Sequence, residues 1–245
     1  MSIAFFDVDG TLLPHPSLER RFFWNLARRG EIPVANYFHW ATQMLWPSFT
    51  NFAAAAQSNK MYLRGVSPSV PSAADSREYR RWVPEFFPGA IQRIWWHTLR
   101  GEVIVLVTGT LAPLAEIVKS ALERELLSRG VETRISVFAT QLLTHQRHWT
   151  GSVNGAPMFG DAKAAVVKEF AITRSIPLSQ CFAYGDHALD CPTLQAVGRP
   201  FAVNPTSHLR RIAQRNGWPM LHWSPCPGRT AATRHALKWK GEVAR

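Results

Sequence analysis

The run Ile3-Ala4-Phe5-Phe6 ends directly in Asp7-Val8-Asp9-Gly10-Thr11, and far downstream Tyr184-Gly185-Asp186-His187-Ala188-Leu189-Asp190 again places acids just beyond an apolar stretch. A short continuous apolar run fits a strand buried on both faces, as in a parallel sheet. In open α/β sheets the crevice beyond such strand ends is where ligands bind. The two acidic runs therefore constrain both the fold class and the place of the site.

The rest of the chain supports that class. Ser17 after Pro16 can cap a helix in which Leu18, Phe22 and Leu26 form one apolar stripe, with Arg28 and Arg29 in its last turn and Gly30 to close it. Further helices are expected over Val34 to Trp46, Phe49 to Leu63 and Arg77 to Phe87, the last stopped near Pro88-Gly89. The Ser- and Pro-rich stretch Gly65 to Ala74 reads as a loop. Strand and helix then alternate. Val103 to Val107 is a buried strand, and Thr110 caps the helix that follows, which Gly130 ends. Ile135 to Ala139 is another strand, and the turn-rich stretch His145 to Gly160 holds a hairpin. Asp161 to Ala171 is a helix that Asp161 can cap, Gln180 to Tyr184 and Pro200 to Val203 are strands, Ser207 to Asn216 is a helix, and Met220 to Trp223 is an edge strand. The expected fold is α/β: a doubly wound, mostly parallel sheet with a helical insertion after the first strand. Residues 1–13 and 89–224 would form the core, residues 14–88 a cap above the strand ends, and residues 225–245 a basic tail.

Asp7 and Asp9 lie two apart, so at an extended strand end both can face one side while Val8 turns into the core. Gly10 allows a tight turn, and Thr11 can bond backbone within it. A carboxylate can attack phosphorus and form an aspartyl phosphate. A second carboxyl can protonate the leaving oxygen and then deprotonate the attacking water. A divalent cation on oxygen ligands would offset the phosphate's charge. Taken alone, the run also fits two aspartates that end a strand in a turn. Thr108 alone fits a strand end, Lys163 and Lys168 fit solvated helix charges, and Asp186 and Asp190 fit loop and capping acids.

Together these runs resemble the haloacid dehalogenase superfamily of phosphohydrolases. Phe5 to Leu13 resembles its first motif. Val105-Leu106-Val107-Thr108-Gly109 resembles the second, Lys163 at a helix start the third, and Tyr184-Gly185-Asp186 through Asp190 the fourth. The continuations Pro192-Thr193-Leu194, Ala202-Val203-Asn204-Pro205 and Gly217-Trp218-Pro219 are similar to the subgroup that includes phosphoserine phosphatase, whose members carry a helical cap between the first two motifs. The resemblance implies Asp7 as nucleophile and Asp9 as general acid/base. It implies Mg²⁺ on the Asp7 carboxylate, the Asp9 carbonyl and Asp186, with Asp190 in support, and Thr108, Gly109 and Lys163 on the phosphoryl group. His187 would line the site or lie on the surface. Phosphoserine phosphatases set a cap glutamate against the substrate amine. Here Glu19 is the early acid but is spaced too far along, and Arg20 and Arg21 beside it fit either a solvated helix face or an anionic substrate.

With 28 Lys plus Arg against 17 Asp plus Glu, the formal charge is +11, which favours anionic partners. The expected partner is a phosphorylated small molecule. Two other readings are a phosphotransferase to an alcohol acceptor, and a non-catalytic module that binds nucleic acid or acidic membranes; the filled catalytic positions argue against the second. Cys181, Cys191 and Cys226 suggest neither a disulfide framework nor a zinc knuckle, no signal peptide is read, and a cytoplasmic location is expected. Residues 32–59 lack Asp, Glu, Lys and Arg. The apolar part before Pro47 falls short of the ~20 residues a spanning helix needs. Trp40, Met44, Trp46, Phe49 and Phe52 crowd one region of this uncharged stretch, which fits a buried cap helix, or contact with a lipid surface or lipid phosphate. Oligomeric state and substrate are not legible.

Overall fold

The computed structural model describes residues 1–45, 59–69 and 85–225. The expected helices over residues 49–63 and 77–87 lie largely outside these residues, as do the tail and Cys226. In the described part of the first, residues Met61–Leu63 form a 3-10 turn rather than an α-helix.

Six parallel strands make one sheet: β1 (Ile3–Phe6), β2 (Val103–Leu111), β3 (Ser136–Thr140), β6 (Phe182–Gly185), β7 (Arg199–Val203) and β8 (Met220–Leu221), in the order β3-β2-β1-β6-β7-β8. A separate hairpin, β4 (Leu142–His145) with β5 (His148–Val153), starts before the stretch read as turn-rich, so its first strand falls largely outside the expected bounds. The chain winds outward from β1 through β2 to β3, then returns to β6 and winds the other way. The topological switch point therefore falls between β1 and β6, where this class of sheet opens its ligand crevice. In register, Phe6 pairs with Tyr184, and the Asp7 N–H donates to the Tyr184 carbonyl at 3.0 Å. The two acidic runs thus emerge side by side.

Alternation along β1 divides the core. Ala4 and Phe6 face one layer with α1 (Leu18–Arg29), α3 (Pro88–Leu99) and α4 (Ala112–Ser128). Ile3 and Phe5 face the other with α5 (Asp161–Thr173), α6 (Cys191–Ala196) and α7 (Ser207–Asn216). Helix α1 forms as its stripe predicts. Ser17 accepts from the Arg20 N–H at 3.4 Å, Gly30 closes the helix in the left-handed region, and Leu18, Phe22 and Leu26 are buried, each contributing roughly 1.5–3 kcal/mol. Helix α2 spans Val34–Leu45. Among the described residues no helix is long and apolar enough to cross a membrane.

Three local expectations fail. Pro88-Gly89 opens α3 rather than stopping a helix, because proline's missing N–H costs nothing at a first helical position. Strand β2 continues through Thr110 to Leu111, so Thr110 is not a helix cap; Leu111 precedes α4 with no side-chain cap. Similarly, Gly160 rather than Asp161 precedes α5, and Asp161 is exposed.

A buried polar chain ties α3 to the middle of the sheet. The Tyr184 hydroxyl donates to His97 Nε2 at 2.8 Å, and His97 Nδ1 donates to Glu102. This arrangement needs a neutral imidazole. Burial, followed by the repulsion of Arg93 and Arg100, outweighs the pull of Glu102 and lowers the His97 pKa to about 4. Glu102, although burial raises it, is held below the usual range by hydrogen bonds from His97 and Ser2. Both folded values are depressed, so the His97 contribution is full above about pH 6.5 and lost as pH falls toward 4, while that of Glu102 is lost only at pH below the ordinary glutamate range. At ~1.4 kcal/mol per pH unit, the His97 share is about 3 kcal/mol. Urea denaturation at pH 7 and pH 4.5 should show this loss, and a smaller one in His97→Phe.

Candidate active site

The loop after β1 is fixed by its own backbone. The Gly10 N–H donates to the Leu13 carbonyl at 2.7 Å, and the Leu12 and Leu13 N–H groups donate to the Val8 carbonyl at 2.8 and 2.9 Å. Val8 is fully buried, which turns Asp7 and Asp9 together toward the crevice. Gly10 has φ +85°, and a Cβ there would lie 2.2 Å from Asp186 Oδ2 and 2.6 Å from His15 Nε2. Gly10→Ala should therefore destabilise the fold by roughly 1–3 kcal/mol, measured by chemical denaturation. Thr11 departs from expectation: its hydroxyl is buried with no partner among the described residues, and nothing in the structure explains this.

Asp9 is held at both oxygens. Its Oδ1 accepts from the Leu18 N–H, at the start of α1, at 2.7 Å. Its Oδ2 lies 2.5 Å from the Thr110 hydroxyl. Burial raises its pKa, with those two bonds and His15 opposing the rise and Glu19 adding to it. Thr110, read from sequence as a cap, is thus a partner of the second aspartate. Thr108, two residues earlier, accepts the Thr110 N–H at 3.1 Å and borders the same cavity.

Lys163 comes from the first turn of α5 and is buried. Its ammonium donates to Asp7 Oδ1 at 2.6 Å and Asp190 Oδ1 at 2.7 Å. Burial would lower its pKa, but Asp190 and Asp7 together hold it above the usual lysine range, so it stays charged. Asp186 follows β6, and its Oδ2 contacts His15 Nε2 at 3.1 Å. Asp190 Oδ2 accepts the His187 N–H at 3.1 Å, and His187 Nδ1 accepts the Leu189 N–H at 3.2 Å, which fixes the short turn carrying both acids.

Oxygens of Asp7, Asp186 and Asp190 lie within 4.8 Å of one another. Burial, then the neighbouring charges, pushes Asp7 well above the carboxylate range although Lys163 pulls it down; Asp186 is raised by burial and by Asp190, against the His15 bond. Three close carboxylates against one lysine leave surplus negative charge on hard oxygen donors. That donor set suits Mg²⁺. The Asp9 carboxylate is engaged elsewhere, so any part Asp9 has in holding a cation falls to its main-chain carbonyl.

Every residue singled out from sequence (Asp7, Asp9, Thr108, Gly109, Lys163, Asp186 and Asp190) borders one cavity of about 190 Å³. His187 also lines it. The sequence reading missed His15, Phe159 and the site role of Thr110. Phe159 carries a signal in retrospect: a Cβ on Gly109 would fall 2.0 Å from its ring, so Gly109 is the space that ring occupies.

With this geometry in hand, comparison with known proteins is decisive for the class. The model of the haloacid dehalogenase-like hydrolases matches residues 4–195, and the chain belongs to that family. A Streptomyces azureus protein named for inhibition of morphological differentiation is 34% identical over 138 residues, 56% of this chain and 46% of its own. The phosphoserine phosphatase SerB1 of Mycobacterium tuberculosis is 28% identical over 222 residues, 88% of this chain and 68% of its own. The chain thus spans about half the length of the first relative and about two thirds of the second. A crystal structure of phosphoserine phosphatase in apo form shares the fold, with TM-score 0.60 and 21% identity over 90% of this chain and 92% of that one.

Proposed function

We propose that this chain hydrolyses a phosphate monoester through an aspartyl phosphate on Asp7. The observation that carries the reading is the bridge of buried Lys163 between Asp7 and Asp190 at 2.6 and 2.7 Å, in a cavity that Asp9, Thr108 and Asp186 share.

Lys163 grips Asp7 Oδ1, which orients the carboxylate for attack by its other oxygen on phosphorus. The ester P–O bond breaks as the new one forms. Asp9, whose burial favours its protonated form, gives its proton to the departing alcohol oxygen. Its contact with Thr110 serves both protonation states, since a hydroxyl can accept from the acid and donate to the carboxylate. Asp9, now ionised, takes a proton from water attacking the aspartyl phosphate. The second P–O bond breaks, and Asp7 is regenerated with release of phosphate. Thr108, the Gly109 N–H and Lys163 would take the phosphoryl oxygens, since such transfers depend mainly on positioning and charge stabilisation. Mg²⁺, held by Asp7, Asp186, the Asp9 carbonyl and, in support, Asp190, would supply neutralisation of the phosphate's charge.

Residues 14–88 would act as the cap, a role supported by Ser17 and Glu19 at the rim of the cavity. A phosphorylated small molecule as substrate and a cytoplasmic location belong to the same reading. The test is phosphate release from 4-nitrophenyl phosphate by purified protein with Mg²⁺ or with EDTA. Metal-dependent release is expected; no release with Mg²⁺ would count against the reading.

A further inference from the structure

Next to the catalytic cavity lies a larger one of about 620 Å³ that does not contain the catalytic aspartates. Ser17, Glu19 and Phe159 line both, so an ester held at Asp7 would extend past these three residues into the larger space. Half of its described wall is rings, Phe23, Trp24, Trp40, Tyr62 and Phe159, with Arg20 and Asn59 among the polar residues between them. The size matches sites for ligands far bulkier than a three-carbon amino acid.

The one acid on this wall among the described residues is already used. Glu19 Oε1 receives the Lys60 ammonium at 2.6 Å and the Tyr62 hydroxyl at 2.7 Å. The pair is largely shielded, with the Lys60 side chain 7% and the Glu19 side chain 17% exposed. The segment bearing Lys60 and Tyr62 is itself tied to α2. Asn36 Nδ2 donates to the Tyr62 and Arg64 carbonyls at 3.3 and 2.6 Å, and Asn59 Nδ2 donates to the Trp40 carbonyl at 3.0 Å. Lys60 is therefore a built-in ammonium, held where an incoming amine would otherwise meet Glu19. Displacing it would leave a shielded charge without its partner, which is costly.

We propose that the substrate is the phosphate monoester of a bulky aromatic alcohol whose rings lie in this cavity, and that Lys60, by occupying Glu19, closes the site to small amine-bearing phosphates. The inference rests on the reaction proposed above and names its substrate class. Stacking and edge contacts with the indole and phenyl rings favour a flat ring system over an aliphatic chain of equal area.

The test compares primary-alkyl esters, so that leaving-group reactivity is matched: 2-(1-naphthyl)ethyl phosphate, octyl phosphate, ethyl phosphate and O-phosphoserine, with Mg²⁺ present. The naphthyl ester should exceed ethyl phosphate and phosphoserine in kcat/KM on the order of a hundred-fold, and should exceed the octyl ester. Trp24→Ala should shrink the naphthyl-to-ethyl ratio about ten-fold, and Lys60→Met should raise phosphoserine turnover relative to ethyl phosphate by a similar factor. Equal kcat/KM for naphthyl and ethyl esters, an octyl ester at least as good as the naphthyl one, or phosphoserine preferred by the unaltered protein, would overturn the proposal. Binding of the non-hydrolysable naphthylethyl and ethyl phosphonates, followed by calorimetry, separates the two readings. Tighter naphthyl binding without turnover of any ester would sink the reaction and uphold the cavity assignment. Equal binding of the two phosphonates would sink the assignment whatever the turnover.

Discussion

Asp7→Asn should abolish phosphate release, with kcat falling on the order of 10⁴-fold or more, because an amide offers no anionic oxygen to attack phosphorus. The variant should still fold. Asparagine keeps the shape of the side chain, and Lys163 keeps its 2.7 Å bond to Asp190. The substitution also removes one of three mutually repelling carboxylates. The bond to Lys163, now made to a neutral amide oxygen and so weaker, and the relieved repulsion act in opposite directions, so the melting temperature should move by only a few degrees. Phosphate release and a thermal melt, run side by side, check both halves. Activity within ten-fold of the unaltered protein would remove Asp7 from the nucleophile's place.

Lys163→Met should be the more damaging change to the protein as a whole. It leaves Asp7 and Asp190 buried without their shared cation, next to Asp186. Removing one partner from a buried ion pair typically costs about 3–5 kcal/mol. The same ammonium faces the phosphoryl group in the proposed reaction, so kcat should also fall about 10²–10³-fold. If the carboxylates form a cation site, Mg²⁺ will offset part of the exposed negative charge. Adding Mg²⁺ to a metal-free sample should then raise the melting temperature of Lys163→Met more than that of the unaltered protein. Equal rises would show that Lys163 and the cation do not answer to the same charges.

Much of this arrangement is legible in the chain because buried parallel strands write themselves as continuous apolar runs. Ile3 to Phe6 and Val103 to Val107 are such runs, and the acids beyond the first mark the strand end that borders the switch point. Helix α1 is equally plain, since Ser17, the Leu18-Phe22-Leu26 stripe and Gly30 all give the same answer. What misleads is a residue type with two uses. Proline ends one helix and begins another with the same ring, so Pro88 is ambiguous without its neighbours. A threonine before Pro113 looks like a cap, yet β2 runs on to Leu111 and turns Thr110 toward Asp9. The remaining omissions are contacts far apart in sequence. His15 meets Asp186 and Glu19 meets Lys60 only because the sheet and the insert bring them together, and no local periodicity encodes that.

The measurement that tests the central claim most directly is acid trapping of the enzyme during turnover of 4-nitrophenyl phosphate with Mg²⁺, followed by mass analysis of its peptides. The mechanism predicts one added phosphoryl group on the peptide containing Asp7, absent from Asp7→Asn and lost when the trapped protein is treated with hydroxylamine. Steady turnover with a phosphoryl group on a different residue, or with none found on any peptide under conditions that trap acyl phosphates, would contradict it.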